Sequence, residues 1–235
     1  MHCHVVGVDG CKAGWIAAEY DPDARRLTFT THADFSSLLL AFVDAASIAV
    51  DIPIGLTESF QPRRCDLLAR RLIGSRSSSI FPAPDRRLLR FPTYSEASAF
   101  SRENSGKGLT RQSFAICGKI AQADSAMSPE LQSRVFEIHP EVCFWAAAGR
   151  RQLSHPKRKA AGFEERRAIL EQVFIGVGIP ARREAEGLLH GAGSDDVLDA
   201  TVAAWTAWRH ARGRCERVSE SPELDTRGLR MEMVY

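Results

Sequence analysis

The chain has 235 residues, 44% of them hydrophobic and 26% charged, with a formal net charge of +2. That length and balance suit a chain that buries one sizeable core, and they exclude a disordered polymer. The longest apolar run, LLLAFVDAASIAVDIPIGL, is broken by Asp44, Asp51 and Pro53 and is no membrane span. The start, MHCHVVGVDG, lacks the basic-then-apolar form of a signal peptide, so a soluble, cytoplasmic protein with no membrane partner is expected.

In chain order, residues 4–9 read as a strand, GCKAG as the turn after it, WIAAEY as a second strand, DPDARR as a turn and the alternating LTFTTH as a third strand. Short turns make these an antiparallel meander. ADFSSLLLAFVDAA reads as a helix with Phe35, Leu38, Leu39 and Phe42 on its apolar face. SIAVDIP is a fourth strand, ending in Asp51 before Pro53, and after a crossover helix it should run parallel to a strand of the meander. Residues 53–134 read as a mainly helical insertion, or cap: CDLLARRLIG and RQSFAICGKIAQADSAM are helical, with GSRSSSIFPAPDRR a structured loop between them. RVFEIHP resumes a strand with Val135, Glu137 and His139 on one face and Phe136 and Ile138 on the other. A basic loop, the helix FEERRAILEQVF and the clearest helix, SDDVLDATVAAWTAWRHAR with Ser194 as N-cap, follow. GLRMEMVY would be a last short strand. The expectation is a single α/β domain over residues 1–235, with the insertion inside it.

The six cysteines show no C-x-x-C spacing and read as scattered reduced thiols. His2, Cys3 and His4 are metal-capable by type, but the run reads as an accident of the chain start. Charge is uneven. Residues 61–90 carry a net +6, residues 150–167 a net +5 and the remainder −9. Such blocks suggest a basic surface for an anionic partner beside an acidic site, or simply solvated helix faces.

The acids carry the chemistry. Asp9 and Asp51 each stand where an apolar strand ends, and on a parallel pair those ends are neighbours. Unpaired, desolvated carboxylates are costly and repel one another, a penalty that a hard divalent cation such as Mg²⁺ or Mn²⁺ removes. Asp196 and Asp199 are i and i+3 on one helix, with Cβ atoms roughly 5–6 Å apart. The helix dipole suffices for Asp195 and leaves Asp196 open between that role and a ligand's, but Asp199 lies beyond the residues where that account is strongest. Glu137 sits between Phe136 and Ile138 and is either a buried paired acid or a further ligand. No G-x-x-x-x-G-K-[ST] phosphate loop is present.

This order of strands, helix and acids resembles the RNase H-like fold: a mixed five-stranded sheet, antiparallel meander first and parallel strands after, flanked by helices. An acid on the first strand, another at the fourth and D-x-x-D on the last helix resemble its Holliday-junction-resolvase branch. GVDGCKAGW, DIPIGL, RRCDLLARRLIGSRSSSIFPAP, FAICGKIAQAD, EIHPEVCFW and DDVLDATVAAWTA resemble the uncharacterised bacterial family of predicted RNase H-like nucleases, domain of unknown function 429. The resemblance implies metal-binding acids at Asp9, Asp51, Asp196 and Asp199, with Glu137 a fifth, and two-metal hydrolysis of a phosphodiester with Mg²⁺ or Mn²⁺. On that mechanism Asp9 bridges the ions, Asp51 and Asp199 complete either side, and Asp196 or Glu137 orients water. Arg76 and Lys119 hold phosphate, and His139 either shuttles a proton or is a satisfied strand histidine. The helix ADFSSLLLAFVDAA lacks the catalytic Glu of ribonuclease H itself, which argues against ordinary hybrid cleavage. Nucleic acid is the expected partner, and a homodimer is left open. Two other classes compete: a catalytically inactive binding module of the same fold, and an actin-like phosphotransferase sharing the DxG strand.

Overall fold

The computed structural model describes residues 4–235; His2 and Cys3 lie outside them. Strands β1 (Val5–Cys11), β2 (Gly14–Asp21) and β3 (Arg26–His32) form the antiparallel meander. The helix α1 (Phe35–Ala41) leads to β4 (Ser47–Val50), which runs parallel to β1, and β5 (Val135–Glu137) runs parallel to β4. The sheet order is β3-β2-β1-β4-β5. The mixed α/β sheet is thus as expected, with one refinement at β1. Asp9 is where the parallel pairing stops, at Val8↔Val50, but the hairpin with β2 continues through Cys11.

Between β4 and β5 come α2 (Arg64–Leu72), α3 (Tyr94–Ser105) and α4 (Arg111–Ala126). The stretch expected as a loop holds two 3₁₀ turns, Gly74–Ser79 and Arg86–Arg90. After β5 come α5 (Pro140–Ala147), α6 (Ala160–Val173), α7 (Arg182–Leu188) and α8 (Ser194–His210). The chain ends on a small ribbon of β6 (Glu223–Leu224) and β7 (Arg230–Met231).

Helices α3, α5 and α7 were not expected. Helix α3 is rich in Ser and has no apolar stripe, so its ends define it. The Thr93 hydroxyl accepts from the Glu96 amide, and Gly106 closes the helix in the left-handed region at φ 73°. Helix α5 is apolar almost all round because it is buried, which erases the helical period. The N-cap of α8 is Gly193 rather than Ser194.

The sheet separates two cores, and strand alternation assigns the side chains. On one face Ile16, Ala18, Ala49, Phe136 and Ile138 pack with α5, α6 and α8. On the other, Val6, Val8, Ala17, Ile48, Val50 and Val135 pack with α1 and α4. Gln122 of α4 fastens the second layer, accepting from Trp15 Nε1 at 2.8 Å and from the Phe35 amide at 3.2 Å. Among the described residues no helix is long and apolar enough to cross a membrane, and the cysteines 11, 65, 117, 143 and 215 are unpaired.

Candidate active site

Gly7 places the last helix. A Cβ on Gly7 would stand 2.0 Å from the Ala204 backbone nitrogen and 2.1 Å from the Ala200 carbonyl oxygen, so α8 lies directly on β1 only because that side chain is missing. Gly7 and Asp9 are two residues apart on a strand and point to the same face. Asp9 therefore emerges beside α8 just past this contact, next to Asp199, the residue before Ala200. The loop before α8 is tied to the β1–β2 turn as well: the Gly191 carbonyl accepts from the Lys12 and Ala13 amides at 3.0 and 3.3 Å. Asp51 follows β4 in the same register, its amide donating to the Val8 carbonyl at 2.9 Å. Three carboxylates from β1, β4 and α8 thus line one cleft of about 650 Å³.

Their surroundings are poor in compensation. Asp9 is 8% and Asp199 2% exposed. Burial, then the charges of Asp51 and Asp199, push the Asp9 carboxyl well above its ordinary range. Burial and the charge of Asp199 push Asp51 up to about 8. Asp199 is raised by burial, against the pull of Lys157. Asp9 Oδ1 accepts one short bond, 2.6 Å, from the Gly10 amide.

Asp196 and Asp199 divide their roles. Asp196 Oδ2 accepts from the Gly193 amide at 2.8 Å, closing the first turn of α8, and Asp196 does not line the cleft. Only Asp199 of the pair turns into it.

Glu137 is placed on the other face of the sheet. Register aligns Val50 with Glu137, so Glu137 shares the side of Val50 and Val135 rather than that of Asp9. Its carboxylate is fully engaged by the buried Arg63: Nη1 to Oε2 and Nη2 to Oε1, both 2.7 Å, with the Ile54 amide also donating to Oε2 at 2.7 Å. Arg63 binds Asp66 in turn at 2.6 Å. Burial raises Glu137 to about 7 against the opposing pull of Arg63. The geometry is that of a buried, fully paired acid; Glu137 and Arg63 also line the cleft, and the charge of Glu137 is felt by Asp51. His139 is likewise engaged, its Nδ1 accepting from the Glu141 amide at 3.2 Å to cap α5. Burial lowers it to about 4, keeping the ring neutral.

Two residues that sequence reasoning passed over belong to the cleft. Lys157 Nζ donates to Asp199 Oδ2 at 2.8 Å and lies 4.0 Å from Asp195. The charges of Asp199, Asp9 and Asp51 all hold its proton, raising it further above the ordinary lysine range. Glu141, in the same E-I-H-P-E segment as Glu137, is 7% exposed; Oε1 pairs with Arg166, while the buried Oε2 has no hydrogen-bond partner. Its charge is felt by Asp199. The segment offered two acids, and the apolar run after Glu141 concealed the second.

Lys119 and Arg76 both line the cleft. Lys119 crosses over Gly10, where a Cβ would meet its Cδ at 2.8 Å; Nζ bonds the Gly14 carbonyl and lies 4.9 Å from the centre of the Trp15 ring. Arg76 donates to the Leu153 carbonyl at 3.1 Å from Nη2. Three other arginines of the 61–90 block are paired with the protein's own acids. Arg63 is buried, Arg86 pairs with Glu58, Asp124 and Asp225, and Arg87 pairs with Asp85 at 2.8 Å. Their charge is largely matched where they stand.

By donor chemistry the site fits a hard divalent cation: desolvated carboxylates that repel, and an orphaned buried oxygen of Glu141 beside them. As placed, no three His, Cys, Asp or Glu side chains among the described residues form a group that could hold an ion; the positive charge among the acids is the Lys157 ammonium.

No curated protein and no solved structure matches the chain significantly. A family model does match, over residues 7–224, which include every acid of the cleft, and the chain accordingly belongs to DUF429, a family described as proteins of unknown function.

Proposed function

We propose that this protein is a divalent-metal-dependent phosphodiester hydrolase of the RNase H-like kind that acts on nucleic acid. The observation that carries the reading is the convergence of Asp9, Asp51 and Asp199 from β1, β4 and α8 on one cleft rimmed by cationic side chains. Three antiparallel strands, a helix, a parallel strand and a late acidic helix support it as the succession of that fold, although fold alone assigns no chemistry.

Asp9, Asp51 and Asp199 would hold Mg²⁺ or Mn²⁺, with Glu141 within electrostatic reach of Asp199. Bound there, the metal supplies Lewis-acid activation of water and neutralises charge on the leaving oxygen. The remaining work falls to the chain. Lys119, fixed across Gly10, and Arg76 attract and orient a phosphate at the mouth of the acid cluster. Lys157 counters the charge of the acids before a cation arrives and is then free to meet the substrate. Arg63 and Glu137 hold the segment after β4 against β5 and so keep Asp51 in register. Asp196 sets the start of α8, and through it the position of Asp199.

Calorimetry with Mn²⁺, together with a cleavage assay on labelled single-stranded and branched DNA and on RNA, tests this. Mn²⁺ should bind the wild type, and Asp9→Asn should weaken binding strongly and abolish cleavage. Equal Mn²⁺ binding by both proteins would remove the assignment. A second reading, a non-catalytic binding module, is favoured by the Lys157–Asp199 ion pair, which gives Asp199 a counter-charge without metal. Nucleic-acid binding with neither Mn²⁺ binding nor cleavage would select it.

A further inference from the structure

Phe81 stands on the cleft wall with 43% of its surface exposed, while its neighbour Ile80 is fully buried. Single exposed apolar residues are ordinary on a convex surface. Here the ring lies in a concave cleft that also holds the acids and the cationic side chains, and its backbone is fixed on both sides. Arg70 donates from Nη1 to the Ile80 carbonyl. The Ala83 amide donates to Asp66 Oδ2 at 2.9 Å. Pro82, between these two points, has its φ fixed by its ring. Asp66 is also the carboxylate that binds Arg63, and Arg63 binds Glu137, both lining the same cleft as the acids. The Phe81 loop and the cleft floor are therefore joined through one buried ionic network, which holds an aromatic face at a set distance from the carboxylates.

A ligand that satisfies this cleft has a flat π-face for Phe81 and an anionic group for the cationic side chains beside the acids. The volume of about 650 Å³ is that of a small-ligand site. A base inside a duplex has both faces covered by its neighbours and gives Phe81 nothing to stack on, whereas an unpaired base does. We propose that the cleft takes one unpaired nucleotide, its base stacked on Phe81 and its phosphate directed at Asp9, Asp51 and Asp199, so that the substrate is single-stranded or frayed nucleic acid, or a free nucleotide, rather than intact duplex. This deepens the hydrolase reading and rests on it for the destination of the phosphate; the stacking site itself does not.

The test is binding in EDTA, where nothing is cut, using fluorescein-labelled single-stranded oligo(dA), the same strand annealed to oligo(dT), and dAMP as competitor. The wild type should prefer the single strand to the duplex at least about tenfold, and Phe81→Leu, which keeps an apolar side chain at an exposed site, should lose about 5- to 100-fold in single-strand affinity. Phe81→Trp should retain affinity, with its fluorescence quenched on binding. Displacement by dAMP at concentrations near those of the strand identifies a free nucleotide as the ligand; displacement only at far higher concentrations identifies a strand. Unchanged affinity in Phe81→Leu, equal binding of duplex, or no binding of any probe overturns the inference. Mn²⁺ calorimetry separates it from the hydrolase reading. Phe81→Leu should bind Mn²⁺ as the wild type does, and absence of Mn²⁺ binding alongside a Phe81-dependent strand preference would remove the metal and leave the platform.

Discussion

Lys157 Nζ lies 2.8 Å from Asp199 Oδ2, joining the basic loop before α6 to the helix that carries the last acid of the cleft. Asp199 is 2% exposed, while the lysine side chain is 40% exposed and able to turn outward. On the proposed metal reading, the pair makes the lysine a tethered competitor for the cation.

Lys157→Met should therefore tighten Mn²⁺ binding by about tenfold, since no ammonium has to be displaced. The same variant should melt at a lower temperature than the wild type in EDTA, because the acids lose their counter-charge. Calorimetry and a melting curve check both. Weaker Mn²⁺ binding would instead make Lys157 a partner of the bound state rather than its rival.

Gly7→Ala tests how α8 is positioned. The added methyl would meet backbone atoms of α8 at 2.0 and 2.1 Å, and backbone cannot rotate aside. The helix must move off β1, at a cost of about 3 kcal/mol or more, measurable as a lower urea midpoint. Mn²⁺ affinity should fall as well, since Asp199 travels with the helix. A variant of wild-type stability would mean that α8 has slack against the sheet.

The two acids of D-x-x-D should separate cleanly. Asp196→Ala removes the bond to the Gly193 amide and should cost about 1 kcal/mol of stability while leaving Mn²⁺ affinity within a few-fold. Asp199→Asn should weaken Mn²⁺ binding by more than tenfold. Comparable metal losses in both variants would return Asp196 to the ligand set.

Much of this site was legible in the sequence. Asp9 and Asp51 could be read from where two apolar strands stop, and Asp199 from its place past the first turn of an amphipathic helix. What the sequence could not supply was register. Glu137 was visible as an acid in a strand, but whether it shares a face with Asp9 depends on Val50 aligning with Glu137 rather than with Ile138, a pairing set in three dimensions. Its partner Arg63 looked like one of eight surface arginines, although it is among the most buried side chains in the protein. Lys157 lies in a loop without period, and only the fold brings it to Asp199. In contrast, Thr93-x-x-Glu96 was a usable capping signal for α3, overlooked because the helix after it lacks an apolar stripe.

The raised carboxylates make metal-free stability depend on pH in an unusual direction. An aspartate in the unfolded chain titrates near 3.9, whereas Asp51 in the fold is pushed up to about 8 by burial and by the charge of Asp199. Between those values the folded state holds a proton that the unfolded state has released, so stability falls as pH rises. The contribution is fully present below about pH 4 and is lost as pH rises through 8. Lys157, raised above the ordinary lysine range, does not titrate within the window. In EDTA the melting temperature should therefore decline from pH 5 to pH 8, and Asp51→Asn, which cannot ionise, should flatten the decline. Saturating Mn²⁺ should flatten it as well, because a bound cation favours the ionised carboxylates that protons otherwise neutralise. A melting temperature that holds steady or rises across this range in EDTA, or a slope unchanged in Asp51→Asn, would show that Asp51 is already ionised and paired in the fold, with Lys157 sufficient for all three acids.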